Sequence, residues 1–247
     1  VKGMCAGATS IGFWSGKQMT IYQLIKDGTQ IRQKCNFRCE TMVAAMLDDD
    51  RVYCGEGSRI VGYSFAGDVT QQLKLAEHEG NVTSININNK TLVVGTSAGF
   101  IKVWDLSRRE AKQLAPAKSV ADDVDEVVDV RVNSDGTRAS FLAVVHGLPD
   151  SNVWVWNVDT DSINSFDFAS HGCVPTSHFW DGDEPKLFVV EAIPTDSSPD
   201  ISKEVASCFS SADDGIFVQH TYKLERINSA LMGINLPTIF TLKFQRA

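Results

Sequence analysis

The stretch HEGNVTSININNKTLVVGTSAGFIKVWD, His78 to Asp105, decides the fold of this chain. It parses into three short runs set apart by turn formers. Val82–Ile87, Thr91–Thr96 and Phe100–Asp105 are rich in β-branched and apolar residues. Asn88-Asn89-Lys90 and Ser97-Ala98-Gly99 break them, and such residues suit the tight backbone of a hairpin. A polar link then leads to a fourth run, Glu110–Leu114. Four short strands in a meander, with side chains alternating between two faces, make one small antiparallel sheet.

Outward from this sheet the pattern repeats. Tyr22, Tyr63, Trp104 and Trp156 each stand at the polar-going end of an alternating run, at intervals of 41, 41 and 52 residues. A period of roughly 40–45 residues with an aromatic closing one strand marks the blades of a β-propeller. Upstream, Gly3–Ala6, Ser10–Trp14, Lys17–Leu24 and Gln30–Lys34 read as one blade. Met42–Leu47, Arg51–Cys54, Arg59–Ser64 and Val69–Leu75 read as the next. Downstream come Val127–Val132, Ser140–Val145 and Val153–Asn157, with the turn signal Asn133-Ser134-Asp135-Gly136. The longer interval here is assigned to the acidic connector Asp122-Asp123-Val124-Asp125-Glu126 and the loop Gly147–Ser151. Thr176–Trp180, Lys186–Ala192, Val205–Phe209 and Ile216–Tyr222 form a fifth group. Trp180-Asp181 is out of register, because Gly182-Asp183-Glu184-Pro185 follows at once and makes it the end of a first strand. Ile193–Ser202 reads as a disordered loop, Leu224, Ile227 and Leu231 as a short helix, and Thr238–Leu242 as a strand.

The composition is that of a soluble globular protein, 43% hydrophobic and 22% charged. The net charge of −8 and the lack of a long basic run argue against nucleic acid as a partner. No apolar stretch approaches a membrane span, so no membrane insertion is expected. Val1–Cys5 lacks a signal-peptide layout, and without an initiator Met the chain reads as an excerpt of something longer. The six cysteines lie scattered in apolar runs, as reduced cytosolic thiols do. Cys35 and Cys39 are the one close pair, and no second pair or spaced His makes them a zinc site.

The central stretch resembles a WD repeat, with Trp104-Asp105 closing its third strand and His78 before its first. The resemblance implies a structural tetrad of His78, a hydroxyl from Thr96, a turn Asp and Trp104. The Asp position holds Ala98, and Asn157 replaces the Asp after Trp156. The expected fold class is therefore all-β: a WD-repeat β-propeller with about five four-stranded blades. The expected blades are 1–36, 37–76, 77–115, 126–169 and 174–223, with 224–247 closing the propeller or leading onward. Seven blades at this period need about 290 residues, so an incomplete seven-bladed ring is expected. An open ring exposes unpaired edges, which favours poor solubility.

Three blocks are more specific: Leu92–Thr96 running on to Asp105–Lys112, Val174–Asp181 continuing through Glu184–Val189, and Leu231-Met232-Gly233 leading to Pro237. In order and spacing they resemble the later part of the second propeller of the intraflagellar transport protein 140 family. That family supplies a subunit of intraflagellar transport complex A. The resemblance implies a protein-interaction scaffold in retrograde ciliary transport and in import of membrane proteins into cilia. It also implies partners among the other complex A subunits and ciliary cargo adaptors. The implied location is the cilium and basal body, on the cytoplasmic side and associated with the cytoskeleton.

Catalytic constellations are missing from the sequence. Gly95–Gly99 lacks the Lys of a phosphate loop, no Gly-x-Ser-x-Gly occurs, and the five histidines lack ligand spacing. No cofactor, metal or catalytic residue is assigned. An enzyme using Asp129 or Asp135 at a channel mouth, and a generic WD-repeat adaptor of another assembly, are the competing readings. The residues assigned structural roles are Tyr22, Tyr63, His78, Thr96, Trp104, Asp105 and Trp156. Those assigned to face partners are Arg108, Arg109, Asp122, Asp123, Asp125 and Glu126.

Overall fold

Turn formers and alternating strands fold as their order dictates, into sequential antiparallel meanders. The computed structural model describes residues 1–15, 17–26, 29–41, 43–47, 50–120, 124–146, 151–166, 174–182, 186–194, 202–211, 217–223, 225–226 and 240–241. The chain divides into two compact units, Val1–Phe166 and Asp167–Ala247.

The first unit holds four sheets. The first comprises β1 (Gly3–Ala6), β2 (Ser10–Ser15), β3 (Gln18–Ile25) and β4 (Gln30–Arg38). The second comprises β5 (Val43–Leu47), β6 (Arg51–Glu56), β7 (Arg59–Ser64) and β8 (Val69–Lys74). A single 3-10 turn, Glu77–Glu79, leads into the third: β9 (Val82–Asn88), β10 (Thr91–Thr96), β11 (Phe100–Asp105), β12 (Lys112–Gln113) and β13 (Lys118–Ser119). The fourth comprises β14 (Val124–Val132), β15 (Arg138–Val145), β16 (Ser151–Asn157) and β17 (Ser162–Phe166). Every sheet runs in chain order, each strand pairing antiparallel with the next, except that β12 and β13 both pair with β11.

Burial explains why the middle strands read as continuous apolar runs. β10 is buried at all six positions, because its sheet packs on both faces. Leu92 and Val94 join Tyr53 and Ile60 of the second sheet, while Val93 joins Val127, Phe141 and Trp156 of the fourth. β6 divides likewise, Val52 and Cys54 meeting Met19 and Ile21 of the first sheet and Tyr53 meeting the third. Each of the three apolar clusters is thus a seam between consecutive sheets. At this density Gly95 has no substitute, since a Cβ there would overlap the Val127 side chain.

The polar half of β9 is equally committed. Its side chains cap the edge of β14: Ser84 Oγ accepts the Val130 N–H at 3.0 Å and Asn86 Oδ1 the Val132 N–H at 3.0 Å. Thr83 donates its hydroxyl to the Val127 carbonyl. Alternation that suggests one wet face here serves a neighbouring backbone.

The second unit contains β18 (Val174–Trp180), β19 (Lys186–Pro194), β20 (Ser202–Ser211) and β21 (Phe217–Lys223) in one meander, and the pair β22 (Glu225–Arg226) with β23 (Phe240–Thr241). Leu187 and Val189 are buried, and Phe179 stacks on Phe188 at 5.1 Å.

Four expectations are corrected. The fourth strand expected at Glu110–Leu114 shrinks to two residues, Lys112–Gln113, supplemented by β13, with Pro116, which has no N–H for the ladder, between the two. The acidic connector is in part a strand: Val124 and Glu126 pair with Val145 and Val144 across a bulge. Asp122 and Asp123 lie outside the described residues. The loop expected over Ile193–Ser202 loses its ends to the sheet, since Ile193 pairs with Lys203 and Pro194 with Ser202. Where a helix is expected after position 224, Glu225 and Arg226 pair with Thr241 and Phe240 as strands; Leu224, Ile227 and Leu231 lie outside the described residues.

Candidate functional site

Three of the four register aromatics occupy equivalent places. Tyr63 packs among first-sheet residues, Trp104 among second-sheet residues and Trp156 among third-sheet residues. Each therefore faces the preceding sheet. Tyr22 is half-buried and meets Phe13 edge-on at 5.8 Å, beside a cavity of about 380 Å³ shared with Val1 and Ile31. Trp156 donates its indole N–H to Asp161 at 3.1 Å, and Lys118 of β13 holds the other Asp161 oxygen at 2.8 Å. Trp154, two residues earlier on the same face of β16, stacks on Phe141 at 5.9 Å.

The tetrad residues are arranged differently from the implied pattern. The Thr96 hydroxyl accepts the Phe100 N–H at 3.1 Å. His78 is exposed and lies edge-on to the Phe100 ring at 5.5 Å. Among the described hydrogen bonds, none joins His78, Thr96 and Trp104. The polar centre of this sheet is instead Glu79, one residue on. Its carboxylate accepts the Ala76 N–H at 2.6 Å and the Lys102 ammonium at 3.0 Å, and Lys102 lies 5.4 Å from the Trp104 ring centroid. Both charged side chains are under 10% exposed. Asp105 serves the following turn, accepting the Ser107 N–H at 2.7 Å; the Ser107 side chain first, and then this backbone bond, hold its carboxyl below the usual range.

Arg108, Arg109, Asp125 and Glu126 are exposed, and Asp125 faces His146 at 3.3 Å. None of them lines the groove formed by the turns and links of the first three sheets. That groove, of about 570 Å³, lies at one end of the first three sheets. Lys17 comes from the β2–β3 turn, Gly57 and Arg59 from the β6–β7 hairpin, Glu40 and Thr41 from the β4–β5 link, and Asn81 and Val82 from the entry to β9. Lys2, before β1, and Glu56, ending β6, complete it. Backbone bonds stitch these segments together. Cys39 N–H donates to the Lys17 carbonyl at 3.0 Å, and Val82 N–H to the Gly57 carbonyl at 2.9 Å. Gly57 turns the hairpin at φ +64°, a left-handed conformation open to glycine without strain.

Charged side chains stand along the groove. Glu56 accepts the Tyr63 hydroxyl at 2.7 Å and meets Arg59 at 3.2 Å. Glu40 meets Lys17 at 2.6 Å. Burial, with the Glu56 carboxylate second, drives the Tyr63 phenol well above its ordinary range. Beneath the floor, Cys39 Sγ lies 2.8 Å from Thr41 Oγ1. A hydrogen bond from Cys54, aided by Thr41, brings the Cys39 thiol down to about 7, while Cys54 rises. Burial pushes Cys5 up to about 12. Cys35, the sequence neighbour, takes no part in this contact, and among the described residues no three acidic, His or Cys side chains are placed to share a metal ion.

Sequence reading passes over this groove because its residues are scattered from position 2 to position 82 and each sits alone in a turn. The one available signal is the recurrence of a charged residue beside the second-to-third-strand turn, Lys17 and then Arg59.

Solved structures share this architecture. Sqt1 of Saccharomyces cerevisiae matches with a TM-score of 0.60 and 15% identity, over 87% of this chain and 58% of that one. A chain in a crystal structure of the mitotic checkpoint complex matches at 0.57 and 16% identity, over 85% of this chain and 59% of that one. This chain thus spans less than three-fifths of the length of either, and the likeness is one of fold. At the level of sequence the match is specific. The model of the IFT140 second beta-propeller covers residues 1–172 and 169–244, and the chain belongs to that family.

Proposed function

We propose that this chain is a non-catalytic protein-interaction scaffold within a subunit of intraflagellar transport complex A. It acts in retrograde ciliary transport and in import of membrane proteins into the cilium. Its partners are the other complex A subunits and ciliary cargo adaptors. It works on the cytoplasmic side of the cilium and basal body, alongside the cytoskeleton. The observation that carries this reading is the family match along nearly the whole chain. The stitched rim groove supports it, because rigid turns on packed sheets present side chains in fixed positions.

In this reading residues 1–223 are propeller and 224–247 close it or lead onward. Tyr22, Tyr63, His78, Thr96, Trp104, Asp105 and Trp156 serve the fold. The exposed Arg108, Arg109, Asp125 and Glu126 are secondary contact points. Co-expression of the tagged chain with the other complex A subunits tests the proposal. Retention of at least one subunit is the expected result. A folded sample that retains none overturns it.

A further inference from the structure

The groove's two carboxylates differ in how they are held. The Glu56 side chain is 5% exposed and fixed from two sides, by the Tyr63 hydroxyl and by Arg59. The Glu40 side chain is 60% exposed, and its described contact is Lys17, itself 61% exposed. Glu56 is part of the wall, whereas Glu40 is free to swing away.

The field at the Glu40 carboxylate is positive. The Lys17 hydrogen bond and charge hold its carboxyl below the usual carboxylate range, and Arg38 and Arg59 add to the effect. Lys2 contributes a further ammonium to the same groove, and Asn81 an amide. This is a local concentration of cations on a chain whose net charge is −8. Three cations, Lys2, Lys17 and Arg59, face two carboxylates in this concavity, and such an excess of one sign attracts its complement and orients the incoming partner. Val82, Gly57 and Thr41 line the same groove and leave room for an aliphatic or small neighbour of that charge.

We infer that the rim groove receives an acidic side chain from an extended segment of a partner protein, and that Glu40 occupies this place until the partner displaces it. Lys17, Lys2 and Arg59 pair with the incoming carboxylate, and Glu40 turns out to solvent. The inference rests on the scaffold reading and names the partner chemistry for it.

The test uses the 247-residue chain and a fluorescein-labelled peptide of alternating Glu and Ser, read by fluorescence anisotropy. Comparators are the same peptide with Gln for Glu, phosphatidylserine vesicles and a single-stranded oligonucleotide. The Glu peptide is expected to bind more weakly as salt rises. Lys17→Glu is expected to weaken it by at least about tenfold, since it reverses the sign at the contact. Glu40→Gln is expected to tighten it by up to about fivefold, the worth of one exposed ion pair. Arg59→Gln checks the same field without placing a new carboxylate beside Glu56. Unchanged melting of the Lys17 and Glu40 variants assigns these effects to binding.

The inference is overturned if the Gln peptide binds equally well, or if Glu40→Gln leaves affinity unchanged or lowers it. Binding of vesicles or oligonucleotide as tightly as the Glu peptide overturns it too, since the groove then selects negative charge of another class. A chain that retains complex A subunits but ignores the Glu peptide defeats this inference alone and leaves the scaffold reading intact.

Discussion

Glu56 ends a strand of the second sheet and Glu79 lies in the 3-10 turn before the third; each pairs with one cation, yet they teach opposite lessons. Glu79 is closed in with Lys102, the two side chains 4% and 8% exposed. Glu56 is as buried, at 5%, but its cation, Arg59, is 50% exposed. A sealed pair has no water to fall back on when one member is lost, so it behaves as core. In a half-open pair the arginine can exchange its carboxylate for water or for a ligand. Burial of the cation separates a charge that holds the fold from one available for recognition.

The largest expected effect comes from breaking the sealed pair. Lys102→Met leaves the Glu79 carboxylate buried without its cation and should cost about 3–5 kcal/mol in urea unfolding. The double variant Glu79→Gln/Lys102→Met should recover much of that loss. If Lys102→Met costs no more than Arg59→Gln, the distinction drawn here fails.

Next comes the half-open site. Tyr63→Phe removes one hydrogen bond to Glu56 and should cost about 1 kcal/mol near neutral pH. The Tyr63 phenol is raised in the folded state, so its contribution is fully present below the unfolded tyrosine value of about 10. It is lost as pH rises through the higher folded value. Wild-type stability should therefore fall more steeply than that of Tyr63→Phe above about pH 10. Parallel alkaline limbs for the two proteins would contradict the assignment.

Arg59→Gln is expected to be smaller still, within about 1 kcal/mol, because solvent replaces the exposed half of the pair. At the bottom of the scale, Glu40→Gln should leave the melting temperature where it is. A measurable destabilisation would move Glu40 from the recognition side of the comparison to the structural side.

The strands and turns were legible because each obeys local chemistry. Thr91–Thr96 and Phe100–Asp105 were bounded correctly from β-branched content and the Ser97-Ala98-Gly99 break. The sealed pair was not legible, for a physical reason. Lys102 alternates with Ile101 and Val103 as a solvent-facing residue would, and only the packing of a second sheet turns that face inward. The roles of Ser84 and Asn86 were hidden in the same way, since their partners stand some 46 residues along the chain. Attention fell on His78 because a repeat pattern pointed there, while its neighbour Glu79 carries the buried charge. The rim groove is a property of several turns at once, and no single turn announces it.

The third and fourth sheets are fastened at two separated places: β9 side chains grip the β14 backbone, and Lys118 reaches Asp161 beneath Trp156. A single fastening would act as a swivel, whereas two prevent rotation about either. The Lys118–Asp161 fastening is an ion pair with side chains 32% and 62% exposed, so added salt loosens it while the β9–β14 seam holds. High ionic strength should then free the Asp161 margin to hinge locally, while the apolar seam around Trp156 keeps the two sheets aligned.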